Sequence, residues 1–175
     1  MSDFNNTPRR LQELRGRPIA DVIYRDMFGQ TTEIIRAESK DELILDKEFA
    51  IDVKLILPSK QILLGQEKFL SHQYAKFASI TVEHMQNPLT QEQGDWFKLA
   101  SQLYFVGYFT EDGTNFSPWI MLDWAQVVIA TMRGQIAWHD QGNTRSYARA
   151  SFKWTRMNDI PDDCVIGHER IPPTV

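Results

Sequence analysis

The strongest constraint on the fold is a change of period at Phe49. From there Ile51, Val53 and Leu55 alternate with Asp52 and Lys54, the two-residue period of a half-buried strand. Pro58-Ser59-Lys60 then makes a tight turn, and Ile62 to Phe69 reads as the returning strand. Further strands are expected at Thr31–Ala37, Ser79–Glu83, Leu103–Phe109, Trp119–Leu122 and Arg145–Trp154, the last with Ala148, Ala150, Phe152 and Trp154 on one face. Helical spacing appears at Ile19, Val22, Ile23 and Met27, where Pro18 suits a first turn and Gly29 a stop. It returns over Trp124–Arg133, stopped by Gly134, and a short helix is expected at Asp95–Ala100. Strands mixed with helices predict an α/β protein, a mixed central β-sheet flanked by helices.

The length of 175 residues suits a single domain spanning 1–175, large enough to bury a core without disulfides. Within it, residues 1–17, with Arg9, Arg10, Arg15 and Arg17, read as a loose basic arm or as a short helix around Leu11 and Leu14. Residues 156–175, with three prolines, read as a surface tail. The single cysteine, Cys164, excludes an intramolecular disulfide and a cysteine zinc site, and four scattered histidines show no paired ligand spacing. The polar N-terminus lacks the apolar run of a signal peptide, and the most apolar stretch, Trp119–Met132, is too short to span a bilayer. A cytoplasmic protein without membrane partners is expected. The net charge of −4 lowers the expectation of nucleic-acid binding without removing it, because a nuclease can gather its basic residues on one face.

Chemistry concentrates in the inferred hairpin. Asp52 lies on the polar face of the first strand, with thirteen residues between it and Gln66, and Gln66 and Lys68 leave the same face of the second. Closure at Pro58-Ser59-Lys60 brings an acidic oxygen, an amide oxygen and an ammonium group together. Such oxygens suit Mg²⁺ or Mn²⁺, and the set suits phosphodiester hydrolysis. A cross-strand ion pair on a solvated face would leave the same pattern, so the alternation alone leaves both readings open. Glu67 faces the other way in an ideal strand; a bulge at Gly65 would turn it inward, and otherwise its backbone carbonyl is the contributor to a metal. Glu83, ending the Ile80–Val82 alternation, is either a further carboxylate for the site or an exposed strand-end charge. Asp26 would add an acid if the first helix packed over the site. Arg145, Tyr147, Arg149 and Lys153, in a run without an acidic residue, form a candidate nucleic-acid face.

Ile51-Asp52-Val53 followed by Gly65-Gln66-Glu67-Lys68 resembles the PD-(D/E)XK nuclease superfamily. The stretch from Tyr74-Ala75-Lys76-Phe77 through Thr81-Val82-Glu83 to Gly94-Asp95-Trp96 is similar to phage or prophage members that join Q-E-K to a T-x-E strand. The resemblance covers roughly residues 46–108. It implies a restriction-endonuclease-like core and a DNA endonuclease, restriction- or resolvase-like, dependent on Mg²⁺ or Mn²⁺. In that reading Asp52 and Gln66 hold the metal with Glu67 at its backbone, Glu83 is a further acidic ligand, and Lys68 positions the attacking water. The Q-x-K form departs from the usual carboxylate and leaves one fewer negative charge on the metal. An alternative follows from that departure: an inactive nuclease-fold protein, a phage-type accessory or inhibitor, binding a protein or nucleic-acid partner. Members of this size also imply a homodimer.

Overall fold

The structure is a computed structural model that describes residues 8–36, 49–87, 89–142 and 150–169. Its strands are β1 (Glu33–Arg36), β2 (Val53–Ile56), β3 (Ile62–Leu70), β4 (Ser79–Asn87), β5 (Glu92–Gln93), β6 (Leu103–Phe109), β7 (Phe116–Asp123), β8 (His139–Gly142), β9 (Ser151–Arg156) and β10 (Val165–Glu169). Helices are α1 (Pro8–Phe28), α2 (Asp95–Lys98) and α3 (Trp124–Met132). A mixed six-stranded sheet runs β1-β2-β3-β6-β7-β10, and an antiparallel four-stranded sheet runs β5-β4-β9-β8. In the larger sheet β3 and β6 are parallel and every other neighbour is antiparallel. The mixed α/β class expected from the sequence is what the chain adopts.

Strand β6 explains the layering. All seven of its residues are buried, the signature of a strand covered on both faces. Leu103, Phe105 and Phe109 join Ala20 and Tyr24 of α1, Val53 and Leu55 of β2, and Phe116 and Met121 of β7 in one core. Tyr104, Val106 and Tyr108 join Ile80 and Val82 of β4, Ile120 and Leu122 of β7, and α3 in the other. So α1 covers one face of the six-stranded sheet, and β4 and α3 cover the other. The tyrosines tie the second interface polar as well as apolar. Tyr104 donates to the Thr81 carbonyl at 2.8 Å, and Tyr108 donates to the Ser79 carbonyl at 2.6 Å.

Two terminal expectations need correction. Of the two readings of residues 1–17, the helix and not the loose arm holds for residues 8–17: they are the first half of α1, which starts at Pro8 and carries Pro18 within it rather than in its first turn. Gly16, Ala20 and Tyr24, four residues apart, form the stripe that faces the sheet. Gly16 is pressed so closely on Phe69 that a β-carbon would sit 2.5 Å from its ring. Arg15 anchors that half by donating to the Asp112 carbonyl at 2.7 Å. Nor is 156–175 a surface tail where it is described. Met157, Ile160 and Cys164 are buried in the core, and β10 adds an edge strand on β7. The Glu38–Glu42 turn and residues 145–149 of the expected Arg145–Trp154 strand lie outside the described residues. No helix among the described residues is long and apolar enough to cross a membrane.

Candidate functional site

The inferred hairpin is present, with Leu57 bonded to Gln61 across the Pro58-Ser59-Lys60 turn. Its register runs Ile56↔Ile62 to Val53↔Gly65 without a shift. The paired register ends there, and Asp52 stands just beyond it. The Asp52 N–H donates to the Gly65 carbonyl at 2.9 Å, and its Oδ2 accepts the Glu67 N–H at 2.9 Å. The Asp52 carboxylate thus extends the ladder one rung past the end of β2.

That rung orients one more group. In an extended strand the N–H and C=O of a residue point to the same edge. The Glu67 carbonyl therefore points to the edge where Asp52 binds the Glu67 N–H. Gln66, by contrast, sends its side chain to the face of Tyr104, its partner on β6. It is 4% exposed, and its Oε1 is buried without a hydrogen-bond partner. A buried amide oxygen with no donor carries a desolvation penalty of about 1–3 kcal/mol, which a cation or an ordered water would relieve. Lys68 leaves the same face two residues on. Burial, then the nearby carboxylates of Asp95 and Asp52, hold the Tyr104 phenol well above its ordinary pKa, so the ring beneath the site stays neutral.

Glu67 faces away, as expected of an ideal strand, but it is not idle. Its Oε1 accepts from Tyr24 Oη at 3.0 Å and from Arg36 Nη2 at 2.9 Å, and its Oε2 accepts from Arg36 Nε at 2.9 Å. Arg36 Nη2 also lies 2.7 Å from Asp21 Oδ1. The Glu67 and Arg36 side chains are 4% and 9% exposed, a buried, bidentate ion pair under α1. Burial pulls the Arg36 pKa down, but hydrogen bonding and charge from Glu67 and Asp21 more than reverse it, so the guanidinium stays above its ordinary value. Burial, and then Glu67, push the Tyr24 phenol well above its usual pKa, which keeps it a donor.

The other expected site residues stand on other elements or outside the described residues. Glu83 belongs to the four-stranded sheet, opposite Phe152. Ile80 and Val82 are buried against β6, and the register of β4 with β9 shifts just past Glu83, whose side chain packs against Gly94. Among the described residues no three His, Cys, Asp or Glu side chains form a group fit to hold a metal. Asp26 lies on α1, across the sheet from Asp52, and accepts from Gln30 at 2.9 Å. Of the basic face, Arg145, Tyr147 and Arg149 lie outside the described residues. Lys153 is committed within the fold: it donates to Asp140 Oδ1 at 2.7 Å and sits over the Trp96 ring, 5.4 Å from its centroid.

What sequence reasoning missed is the trio around Glu67. Tyr24 and Arg36 come from elements 43 and 31 residues away, and no local pattern announces them. One signal was available: a glutamate on the apolar face shared by Phe69 needs a buried partner. The donor set as it stands, a carboxylate, an orphaned amide oxygen and a backbone carbonyl, is all oxygen and fits Mg²⁺, which keeps several waters and needs few protein ligands. Comparison with protein-family models, with characterised proteins and with solved structures returned no match.

Proposed function

We propose that the protein is a Mg²⁺- or Mn²⁺-dependent phosphodiesterase of the PD-(D/E)XK kind, acting on DNA as an endonuclease. The observation that carries this reading is the buried, unpartnered Gln66 Oε1 on the face of Lys68, one residue from the Glu67 N–H that the Asp52 carboxylate accepts. Asp52 and Gln66 would hold the cation through side-chain oxygens and Glu67 through its carbonyl. A cation there supplies positive charge to the scissile phosphate and acidifies a bound water. Asp52 keeps its orientation through the Glu67 N–H, and Lys68 orients the attacking water or balances charge on the phosphate. With one carboxylate in the set, cation affinity is expected to be modest. Two copies of the chain would give two cuts per assembly.

Titration of Mn²⁺ by calorimetry into the wild type, Asp52→Ala and Lys68→Ala, beside plasmid and junction cleavage, tests the proposal. Asp52→Ala loses both metal binding and cleavage, while Lys68→Ala keeps the metal and loses cleavage. No heat and no cleavage in the wild type would overturn it. The second reading, a non-catalytic accessory or inhibitor that binds a partner, is favoured by the uncharged Gln66 at a carboxylate position. It expects no cleavage on any substrate.

A further inference from the structure

The Glu67 side chain is tied by three hydrogen bonds to α1 and β1, whereas its main chain serves the opposite requirement at Asp52. The side chain and the peptide of one residue thus connect the two faces of the sheet. A buried Glu–Arg pair is weak evidence of stability, because desolvation offsets most of its attraction. What such a pair does supply is a fixed geometry: a planar guanidinium gripping a carboxylate at two points allows little rotation. The second contact of Arg36, to Asp21, fixes the guanidinium in turn, and Tyr24 holds the remaining direction on Glu67 Oε1.

Resting on the metal reading above, we propose that Glu67 is a positioning residue, and that the Tyr24–Arg36–Asp21 cluster sets the cation affinity of a site it does not touch. By fixing the Glu67 side chain, the cluster fixes the peptide whose N–H orients Asp52 and whose carbonyl faces the cation. Asp21, Arg36 and Glu67 also leave one net negative charge behind β3, where the site itself lacks the carboxylate that Gln66 replaces. The residue between Gln66 and Lys68 is thereby tied to α1, so a chain with leucine at that position would keep the motif and lose the control.

The test uses the full chain with a triple variant, Tyr24→Phe, Arg36→Met and Glu67→Met, combined in an Asp21→Leu background, so that the whole buried polar cluster is removed and the Asp21 carboxylate is not left without its Arg36 partner. Replacing a buried ion pair by apolar groups of similar volume is often neutral or stabilising, so this variant folds. Glu67→Gln serves as the milder variant and Phe69→Leu, on the same face of the same strand, as the control. Two readouts are taken: exchange of the Glu67 amide in EDTA, followed by NMR, and Mn²⁺ affinity by calorimetry. In the triple variant the residue 67 amide exchanges faster than in wild type, and Mn²⁺ affinity falls by about tenfold or more. Glu67→Gln shows an intermediate loss, and Phe69→Leu lowers the melting temperature without changing affinity. Unchanged amide exchange in the triple variant, or affinity within about twofold of wild type, overturns the positioning role while leaving the metal site standing. A wild type that takes up no Mn²⁺ fails the metal reading instead, and the affinity half of this inference with it.

Discussion

Replacing Gln66 by glutamate tests the site without any substrate. The new carboxylate lies in a position 4% exposed, on the face of Lys68 and one residue from the Glu67 N–H that Asp52 accepts. For a separation of about 5 Å and an effective dielectric constant of about 20, repulsion from Asp52 amounts to about 3 kcal/mol. Lys68, two residues along the strand at about 6.5 Å, returns about 2.5 kcal/mol on the same scale. Desolvation of the charge adds about 1–3 kcal/mol, so Gln66→Glu should destabilise the metal-free protein by roughly 2–4 kcal/mol at pH 8. For a chain of this length that lowers the melting temperature by roughly 4–16 °C. The sign with pH follows from linkage. The folded protein raises the pKa of the new carboxyl above its unfolded value, so the deficit is absent in acid, where both states hold the proton. It grows as pH rises through the folded pKa. Mn²⁺ at about a hundred times its dissociation constant should return about 2.7 kcal/mol. The assay is thermal unfolding by circular dichroism in EDTA and in Mn²⁺, at several pH values. A variant as stable as wild type in EDTA at pH 8 would refute the reasoning, because no buried carboxylate beside Asp52 escapes that penalty.

Two further outcomes are expected. Gly107→Ala on β6 would place a methyl group 2.7 Å from Phe116 Cγ, within an aromatic stack that includes Phe69, Phe105 and Phe109, and should cost about 1–3 kcal/mol in urea unfolding. Unchanged stability would mean that the stack yields more readily than its geometry implies. In the β6–β7 turn, hydrogen bonds from the Thr110 hydroxyl and from the Thr114 N–H and hydroxyl hold the Asp112 pKa at about 2, below its ordinary 3.8. A depressed carboxylate stabilises above its unfolded pKa and loses that contribution as pH falls toward the folded value. Urea midpoints measured from about pH 5 to about pH 2 should therefore fall less steeply in Asp112→Asn than in wild type.

The parts of the fold legible in the sequence were those whose signal is local. The alternation at Ile51–Leu55 and the turn at Pro58 placed β2, β3 and their hairpin, because a two-residue period leaves one register that keeps the apolar face inside. The apolar run Leu103–Phe109 was legible for the same reason. The role of Glu67 was not, since it is decided by Tyr24 and Arg36 arriving from distant segments. The start of α1 was legible only as one of two readings, because four arginines hide the stripe of Gly16, Ala20 and Tyr24. β10 was hidden by its setting after Pro161 and by its short, largely exposed face, which lacks a core pattern. That Glu83 stands on a strand of the second sheet was not legible, because strand periodicity names a face without saying which sheet the strand joins.

The order in which the chain builds its two sheets has a consequence for how it comes apart. It lays down β1 to β3 in the larger sheet, leaves for β4 and β5, returns for β6 and β7, leaves again for β8 and β9, and ends in β10. Any cut between strands therefore strips at least one sheet of a member. The parallel contact of β3 with β6 closes a loop that contains β4, β5 and α2, so it forms only when those segments are in place. The hairpin bearing Asp52 and Gln66 is local and can pair early, but the Tyr104 floor arrives on a later strand. Fragments ending before β6 should carry the motif without the buried environment that gives Gln66 its unpartnered oxygen. Unfolding should accordingly be a single cooperative event, in which the site and the four-stranded sheet are lost together.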